Sequence, residues 1–419
     1  MSNKVSIYLF NKHIADIFQV DDRVYLRQFD NRAHLASPIS IVKDIADIET
    51  TSLVYLDRVA GFISDSLPGS FGEEILDNFF VQNNSGKKPT IIDKLLFIGN
   101  RGLGAIEFRP AHAINDDTNT ILSLKDIYEE VKKLKRGNDF KSIHDAFLVS
   151  AHSFVGGARS KAVASINLKS NEVYFGDRTK EPPIGFIPVI IKYDDTQGGD
   201  ENKSTYSKLE YIYYILAKES GINISECYLI ESNGKHHFIT KRFDIEGSKK
   251  FHVHSLAGLL HVDYNIPRSL GYEELFRVAV KLNATTSIKQ LFLQMLFNYM
   301  FVNQDDHARN FSFMCSGDYK WRATPAYDLT FAKGVKQTKE HQMTLYSKAL
   351  SQIQLQDIVN VATEFSIDLE FISSAIETMK NLRENKLRVL MNQYKISQKK
   401  QDQVLQEVMQ RDFQGALNE

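Results

Sequence analysis

An apolar helical segment that runs directly into a charged one is the feature of this 419-residue sequence that most constrains its fold. Residues 287–301, "SIKQLFLQMLFNYMF", place apolar side chains on nearly every face of a predicted helix over 288–302, and such a helix must be buried. The next residues, "NQDDHARN" (303–310), bring two carboxylates, an imidazole, a guanidinium and carboxamides to its end. Charge beside a core is costly unless it is paired or coordinates something. The segment therefore predicts a chemical site anchored on a rigid element.

The composition limits the class of protein. A chain of this length predicts about two or three domains, and a net charge of −1 argues against a general polyanion binder. Cys227 and Cys315 are far apart and lack CxxC spacing. We therefore expect no disulfide framework, and we expect the protein to lie in a reducing compartment such as the cytoplasm. No run of ~18 apolar residues and no signal-peptide pattern is present, so we expect no membrane association.

The N-terminal region reads as an α+β module. Four segments with alternating or β-branched character predict strands: "KVSIYLF", "IADIFQV", "RVYLRQF" and "TSLVYLD". Helical segments and a glycine turn, "NRGLGA" (100–105), follow, and we interpret that turn as structural. A polar break at 111–120 ends the module, which predicts a β-rich domain over 1–115.

The middle region, 116–244, predicts a β-rich lobe with one helix. Residues 171–195 are predicted to form a hairpin whose turn lies at 176–185. A helix over 206–222 is expected to end at Gly221, and a second hairpin is expected to turn at Asn233-Gly234. From 245 to 419 the pattern is nearly all helical. Together these predict an α+β fold: a protein-kinase-like bilobal core with a large α-helical C-terminal lobe, preceded by the small β-rich domain.

Asp305 and Asn310 have the D-x-x-x-x-N spacing of a kinase catalytic loop, in which the aspartate accepts the substrate hydroxyl proton and the asparagine holds Mg²⁺. Asp328, in "ATPAYDLTF", follows a short strand-like segment and suits a second metal ligand. A structural interpretation stays open, with an aspartate capping a helix and His307 as a structural imidazole. We expect Asp306 to be solvated and His307 to orient the loop beside the nucleotide.

Lys192 ends the β-branched segment "GFIPVIIK", as in the VAIK pattern of kinases. A lysine there can bind the α- and β-phosphates and pair with a helix glutamate, for which Glu210 is the candidate. Glu210 has a competing interpretation, because Ser207 and Glu210 also fit a capping box.

The segment "SFVGGARSKA" (153–162) is the phosphate-loop candidate. Gly156 and Gly157 let backbone N–H groups approach an anion, and Lys161 adds charge. The segment matches neither GxGxxG nor GxxxxGK[ST], so by itself it favours a plain turn.

Six motifs in order extend the kinase pattern: "GGARSKA", "YSKLEYIYYILAKESGI", "FITKRFD", "HVHSLAGLLH", "NQDDHARNFSFM" and "TPAYDLTF". With them the chain resembles, over roughly 4–400, the HipA family of bacterial serine/threonine kinases, the toxins of HipA–HipB toxin–antitoxin systems. The N-terminal "SIYLFNKHIADIF…SLPGSFGEEIL…GLGAIEFRP" is similar to the small β-rich domain that precedes the kinase core of this family.

The resemblance implies ATP and Mg²⁺ as cofactors and assigns site residues. Asp305 would be the catalytic base and Asn310 and Asp328 the metal ligands. Lys241 and Phe243 would form the adenine hinge. The phosphate loop would be 153–161. The remaining nucleotide-binding candidates, inside and outside this loop, are Gly156, Gly157, Ala158, Lys161, Lys192, Glu210 and His307.

The family also autophosphorylates a serine in the phosphate loop, which ejects the loop and inactivates the enzyme. Here Phe154 stands at the aligned position and Ser153 beside it, so Ser153 is the candidate and self-inactivation is in question. The resemblance implies a protein substrate such as an aminoacyl-tRNA synthetase, and inhibition of translation or growth. It also implies a separate HipB-like helix-turn-helix antitoxin as partner, with DNA reached only through that antitoxin.

Three other functions compete with this one. A catalytically weak co-repressor would act with the DNA-binding antitoxin, although Lys192, Asp305 and Asp328 argue against an idle site. A small-molecule or lipid kinase would use the same chemistry on another acceptor. A metal phosphohydrolase built on Asp305, Asp306 and His307 is disfavoured, because the sequence has no second cluster of His and Asp at ligand spacing.

Overall fold

A computed structural model describes residues 4–83, 86–111, 120–127, 160–176, 180–194, 205–334 and 337–413. Within these ranges the fold is mixed α+β, with two antiparallel sheets followed by a large helical region. The predicted fold class, a kinase-like bilobal core behind a small β-rich domain, is confirmed.

The first sheet has five antiparallel strands in the order β4-β3-β2-β1-β5. Its inner face is built by alternation, since Val5, Ile7 and Leu9 are fully buried while their neighbours face outward. The strands are β1 Lys4–Leu9, β2 Lys12–Val20, β3 Arg23–Gln28, β4 Asp47–Glu49 and β5 Ile106–Arg109. The helices of this region are α1 Arg32–Ala36, α2 Gly61–Ser64, α3 Ser70–Asn83 and α4 Ile91–Ile98.

One strand predicted in this region is wrong. "TSLVYLD" contains a 3₁₀ turn over Val54–Leu56 instead of a strand. Asp57 and Arg58, which follow it, both adopt left-handed backbone conformations (φ 58° and 62°). Two such residues in succession reverse the chain direction and cannot extend a strand.

The second sheet has six antiparallel strands in the order β10-β11-β9-β7-β8-β6. They are β6 Thr120–Ser123, β7 Lys161–Asn167, β8 Glu172–Phe175, β9 Ile187–Lys192, β10 Cys227–Ser232 and β11 Lys235–Lys241. The turn at Asn233-Gly234 is confirmed, with positive φ at both residues (53° and 73°). The hairpin predicted over 171–195 is wrong, because β7 lies between β8 and β9 and pairs with both.

The remaining elements build the helical lobe around α8, whose residues from Leu291 to Met300 are all buried. Helix α5 packs against β10 and β11 and ends before Gly221 (φ 81°), as predicted. The helices are α5 Thr205–Glu219, α6 Leu256–Leu260, α7 Tyr272–Lys281, α8 Ile288–Met300, α9 Leu355–Phe365, α10 Leu369–Asn381, α11 Leu387–Gln393 and α12 Gln398–Val408. The short strands are β12 Ile245–Glu246, β13 Lys249–Lys250, β14 His252–Ser255, β15 Ser312–Cys315, β16 Arg322–Ala323, β17 Thr344–Leu345 and β18 Lys348–Ala349.

Among the helices described here, none combines the length and apolar character needed to span a bilayer.

Two hydrophobic clusters hold these parts together. One joins the first sheet to the second, since it includes Ile7 and Phe108 as well as Ile166, Ile191 and Ile239. The other is the core of the helical lobe and includes α5. The first cluster contains residues from both sides of residue 115, so hydrophobic packing marks no boundary there. The domain boundaries at 115 and 244 remain a prediction.

Candidate active site

Three separate parts of the chain meet at one amine. Lys192, the last residue of β9, donates hydrogen bonds from Nζ to Glu210 Oε1 on α5 and to Asp328 Oδ1. The Lys192 side chain is only 13% exposed, whereas that of Asp328 is 39% exposed. Lys192 is therefore mostly covered by the protein, whereas Asp328 is partly exposed to solvent.

The competing interpretation of Glu210 as part of a capping box is wrong. Helix α5 extends at least from Thr205, so Ser207 lies inside the helix and is not its N-cap. The Glu210 side chain is 4% exposed and points at Lys192. A buried carboxylate next to a buried amine is expected to serve as its partner.

The charges of this cluster reinforce one another. Burial by itself would lower the pKa of Lys192, but the charges of Asp328 and Glu210 raise it above its ordinary value. Desolvation would raise the pKa of Asp328, but Lys192 and then Lys161 lower it well below the usual range. Lys161 is the β7 residue directly opposite Lys192, so the two lysines share a face of the sheet. Lys192 is therefore held in its cationic form and Asp328 in its ionised form near neutral pH.

The segment after α8 forms a closed loop. Asn310 Nδ2 donates to the backbone oxygen of Asp305 (2.7 Å), and the Asn310 N–H donates to the His307 oxygen (2.8 Å). A 3₁₀ turn over Ala308–Asn310 completes it. The Asp305 side chain is 48% exposed. The loop thus presents a carboxylate outward from a buried helix, as the sequence predicts.

Asn310 and Asp328 each carry an oxygen of the type that binds a divalent cation, and Asp328 lies beside Lys192. Among the described residues, Asn310 Oδ1 and Asp328 Oδ2 accept no hydrogen bond, because Asn310 donates through Nδ2 and Asp328 pairs through Oδ1. Mg²⁺ prefers such oxygen ligands and keeps water and phosphate oxygens in its shell. The chemistry of these two groups fits Mg²⁺, and their assignment as metal ligands remains a prediction.

The prediction that Asp306 is solvated is wrong. Asp306 is 1% exposed, and its carboxylate accepts hydrogen bonds from Tyr272 Oη (2.7 Å), His341 Nδ1 (3.0 Å) and the Gln342 N–H (2.7 Å). These partners lie 34 to 36 residues away in sequence. Adjacent carboxylates therefore have different environments, with Asp305 facing out and Asp306 holding the loop to the lobe.

His307 lies inside the loop beside Tyr264, with ring centroids 5.3 Å apart. Its Nε2 is 3.9 Å from Asp305 Oδ1, which is too long for a hydrogen bond. Its Nδ1 is buried and has no hydrogen-bond partner in the described part of the chain. The expected orienting role therefore remains a prediction.

The predicted hinge follows β11. The Lys241 N–H donates to the Glu226 oxygen (2.8 Å), so this donor is already used by the protein. The Phe243 N–H forms no hydrogen bond among the described residues, and the Phe243 ring stacks on Tyr327 (5.9 Å, 25°). Phe243 therefore matches the predicted hinge better than the Lys241 donor does.

Four predicted residues, Ser153, Gly156, Gly157 and Ala158, lie outside the described residues. The structure accordingly leaves the phosphate loop untested except for Lys161 at its end.

A junction missed by sequence reasoning connects the N-terminal region to the helical lobe. Asp65 accepts hydrogen bonds from His254 Nδ1, the Ser255 N–H and Ser255 Oγ (2.7, 2.7 and 2.6 Å). The Gly61 N–H donates to His261 Nε2 (3.0 Å). These histidines and Ser255 come from "HVHSLAGLLH", which could have been read as an unusual set of buried polar residues.

Comparisons with known proteins show the family of the chain and a similar fold. The family model described as "HipA-like C-terminal domain" matches residues 153–395. HipA from the Shewanella oneidensis MR-1 toxin–antitoxin complex of HipA, HipB and operator DNA has a similar structure, with a TM-score of 0.66 and 15% identity over 99% of this chain and 98% of that chain.

A second solved structure, the Helicobacter pylori proinflammatory kinase CtkA, covers 61% of this chain and 93% of its own, with a TM-score of 0.34 and 12% identity. That similarity is too low to carry an argument. No relative among curated protein sequences matches the chain.

Proposed function

The chain belongs to the HipA family, and from that premise we propose that it is an ATP- and Mg²⁺-dependent serine/threonine protein kinase of HipA type. The observation that carries the proposal is the double hydrogen bond of Lys192 to Glu210 and Asp328. It joins a strand, a helix and the segment after the proposed catalytic loop, as the strand lysine, helix glutamate and metal-binding aspartate of protein kinases do.

In the proposed reaction the chain positions an acceptor hydroxyl in line with the γ-phosphate. Asp305 accepts the hydroxyl proton, and its partly exposed carboxylate can reach a bound substrate. Lys192, aided by Lys161, binds phosphate oxygens and offsets their charge. Mg²⁺ held by Asn310 and Asp328 would supply further neutralisation of the phosphates. Phe243 offers to the adenine edge its N–H, which forms no hydrogen bond within the described part of the chain.

We further propose a cytoplasmic protein that acts as the toxin of a toxin–antitoxin pair. The Shewanella HipA is part of a complex with HipB and operator DNA. This supports a separate HipB-like partner for this chain, which would contact DNA through that partner. The acceptor is proposed to be a protein of the translation machinery, such as an aminoacyl-tRNA synthetase. Ser153 is the proposed autophosphorylation site.

The deciding experiment incubates the purified chain with γ-labelled ATP, Mg²⁺ and a host lysate and identifies labelled proteins by mass spectrometry. The matched control is Asp305→Asn, which keeps the side-chain shape but cannot accept the proton. We expect label on serine or threonine of a small set of proteins with the native chain and none with the variant. Equal labelling by the variant would refute the role of Asp305.

Two other outcomes would replace the proposal. Label on a metabolite or lipid alone would identify a small-molecule kinase. Stabilisation of the chain by ATP without any transfer of label would favour the co-repressor. Testing lysate protein, small-molecule and lipid fractions separately distinguishes these outcomes in one assay.

A further inference from the structure

Arg309 connects the catalytic loop to the N-terminal module. It lies between Ala308 and Asn310 in the 3₁₀ turn. Its Nη2 donates to the backbone oxygen of Ser64 (3.1 Å), 245 residues earlier, and its Nη1 donates to Tyr264 Oη (3.1 Å). The guanidinium also lies 5.3 Å from the centre of the Tyr264 ring. A planar group with two fixed donors holds its own backbone in one position more firmly than a single contact does.

The receiving carbonyl is itself rigidly placed. Ser64 is the last residue of α2 and is 1% exposed. Its neighbour Asp65 is bonded to His254 and Ser255 of the helical lobe. The negative charge of Asp65 also lies close enough to attract the Arg309 guanidinium.

The backbones on both sides of this junction pack without a gap. A Cβ at Gly61 would lie 2.0 Å from the backbone oxygen of Gly258, so α2 approaches α6 as closely as two glycines allow. Helix α6 in turn packs against the 3₁₀ turn of the catalytic loop, and the Leu256 N–H donates to the Phe311 oxygen (2.8 Å). The order of contact is therefore α2, α6, catalytic loop.

The same arginine joins the loop to the metal-ligand segment. Tyr327 Oη donates to the Arg309 backbone oxygen (2.9 Å) and contacts Ser312 Oγ (2.6 Å). Tyr327 precedes Asp328, whereas Arg309 precedes Asn310. Movement of the Arg309 backbone would displace both proposed metal ligands.

We propose that Arg309 is a positioning residue through which the N-terminal module, held at Ser64 and Gly61, sets the geometry of Asp305, Asn310 and Asp328. The expected loss of kcat rests on the proposed function. The expected change in the structure of the loop rests on the contacts alone. A displacement of about 1 Å in such a site can cost ~10²-fold in rate, so docking of the module is expected to control turnover.

The test measures phosphotransfer and Mg²⁺-free ADP binding for the full chain and for Arg309→Ala, Gly61→Ala and their double variant. We expect each single variant to lose ~10- to 100-fold in kcat. Affinity for Mg²⁺-free ADP should stay within about twofold, because Lys192 and Phe243 are untouched. The double variant should be no slower than the slower single one, since both changes break the same connection.

Two further variants separate positioning from loss of folding. Tyr264→Phe removes one hydroxyl without altering packing and should cost roughly fivefold, the worth of one hydrogen bond. Arg309→Lys should fall between the native chain and Arg309→Ala, because one ammonium cannot reproduce the planar fork. Arg388→Ala, at an exposed arginine of α11, is the matched control and should behave as the native chain.

Hydrogen exchange provides a readout that does not require catalysis. Amides of 305–311 should exchange faster in Arg309→Ala and in Gly61→Ala, while those of α8 should not change. If the native chain transfers no phosphate, the proposed function fails and the exchange result still decides the inference. A native kcat in Arg309→Ala, multiplied losses in the double variant, or unchanged exchange of the loop would overturn it.

Discussion

The Lys192 cluster and the Asp65 junction use similar polar groups in opposite ways. In the cluster, Asp328 is 39% exposed, and it leaves one oxygen without a donor in the described part of the chain. At the junction, both Asp65 oxygens are occupied, by His254 and by Ser255. Groups whose hydrogen bonds are satisfied internally hold structure, whereas a charged group left partly unsatisfied beside an opening is suited to a ligand. The comparison therefore distinguishes a ligand-binding site, at Asp328, from a structural contact, at Asp65.

Asp328→Asn is expected to have the largest effect on activity and a small effect on stability. Phosphotransfer should fall at least ~10²-fold, because the carboxylate that we propose as a Mg²⁺ ligand loses its charge. Lys192 keeps Glu210 as partner, so the free energy of unfolding should change by only about 1 kcal/mol. Kinetic assays and chemical denaturation measure the two quantities.

The matched change at the junction, Asp65→Asn, should have a larger effect on stability and a smaller direct effect on phosphotransfer than Asp328→Asn. Asparagine keeps only one of the two acceptor oxygens and has no charge, so at least one hydrogen bond from His254 or Ser255 to a carboxylate is lost or weakened, at a cost of about 2–3 kcal/mol of unfolding free energy. A larger stability loss for Asp328→Asn than for Asp65→Asn would contradict the distinction.

Acid should weaken the junction before it affects the charges of the site. His261 Nε2 accepts the Gly61 N–H and must be unprotonated to do so, and desolvation followed by the charge of His254 lowers the pKa of His261 to about 4. The unfolded chain takes up this proton near pH 6.5, so the unfolded state binds more protons between pH 6.5 and 4 and stability falls as the pH falls. His261 should contribute a loss of about 1.5 kcal/mol between pH 7 and 5.

Denaturation of the native chain and of His261→Gln at both pH values tests this expectation. Glutamine does not titrate, so the variant should lose less stability on acidification than the native chain. Asp328, whose pKa is lowered, should lose its contribution only below about pH 4. Equal acid sensitivity of the two chains would exclude His261 as a source.

Lys241→Ala is expected to have the smallest effect. Its Nζ lies 3.3 Å from Glu226 Oε2, and the two side chains are 48% and 55% exposed. Such a surface pair contributes about 0–1 kcal/mol, and an adenine hinge would use backbone groups. The KM for ATP should not change. An increase in KM with unchanged stability would instead place the Lys241 side chain at the nucleotide.

Local patterns predicted the elements that present the site. The apolar positions of 288–302 specified a buried helix, and α8 is one. Asn233-Gly234 specified a hairpin turn, and it forms one. The spacing of Asp305 and Asn310 predicted a kinase catalytic loop. The structure has a loop there, which the Asn310 side chain closes onto the Asp305 carbonyl, and its catalytic role remains a prediction. Each of these depends on residues within one helix, turn or loop.

Other features depend on partners that are distant in the chain. The burial of Asp306 requires Tyr272, His341 and Gln342, and its sequence neighbourhood resembles that of the exposed Asp305. The position of β7 between β8 and β9 requires pairing across a non-adjacent strand. No local period distinguishes these arrangements from the predicted ones.

The amino-acid order alone established the chemical groups, their spacing along helix and loop, and the family to which they are similar. Folding in three dimensions established which carboxylate is buried, which lysine meets which acid, and how Ser64 reaches Arg309. The physical reason is that hydrophobic periodicity and turn preferences act over a few residues, whereas burial and hydrogen-bond partnership depend on contacts between segments hundreds of residues apart.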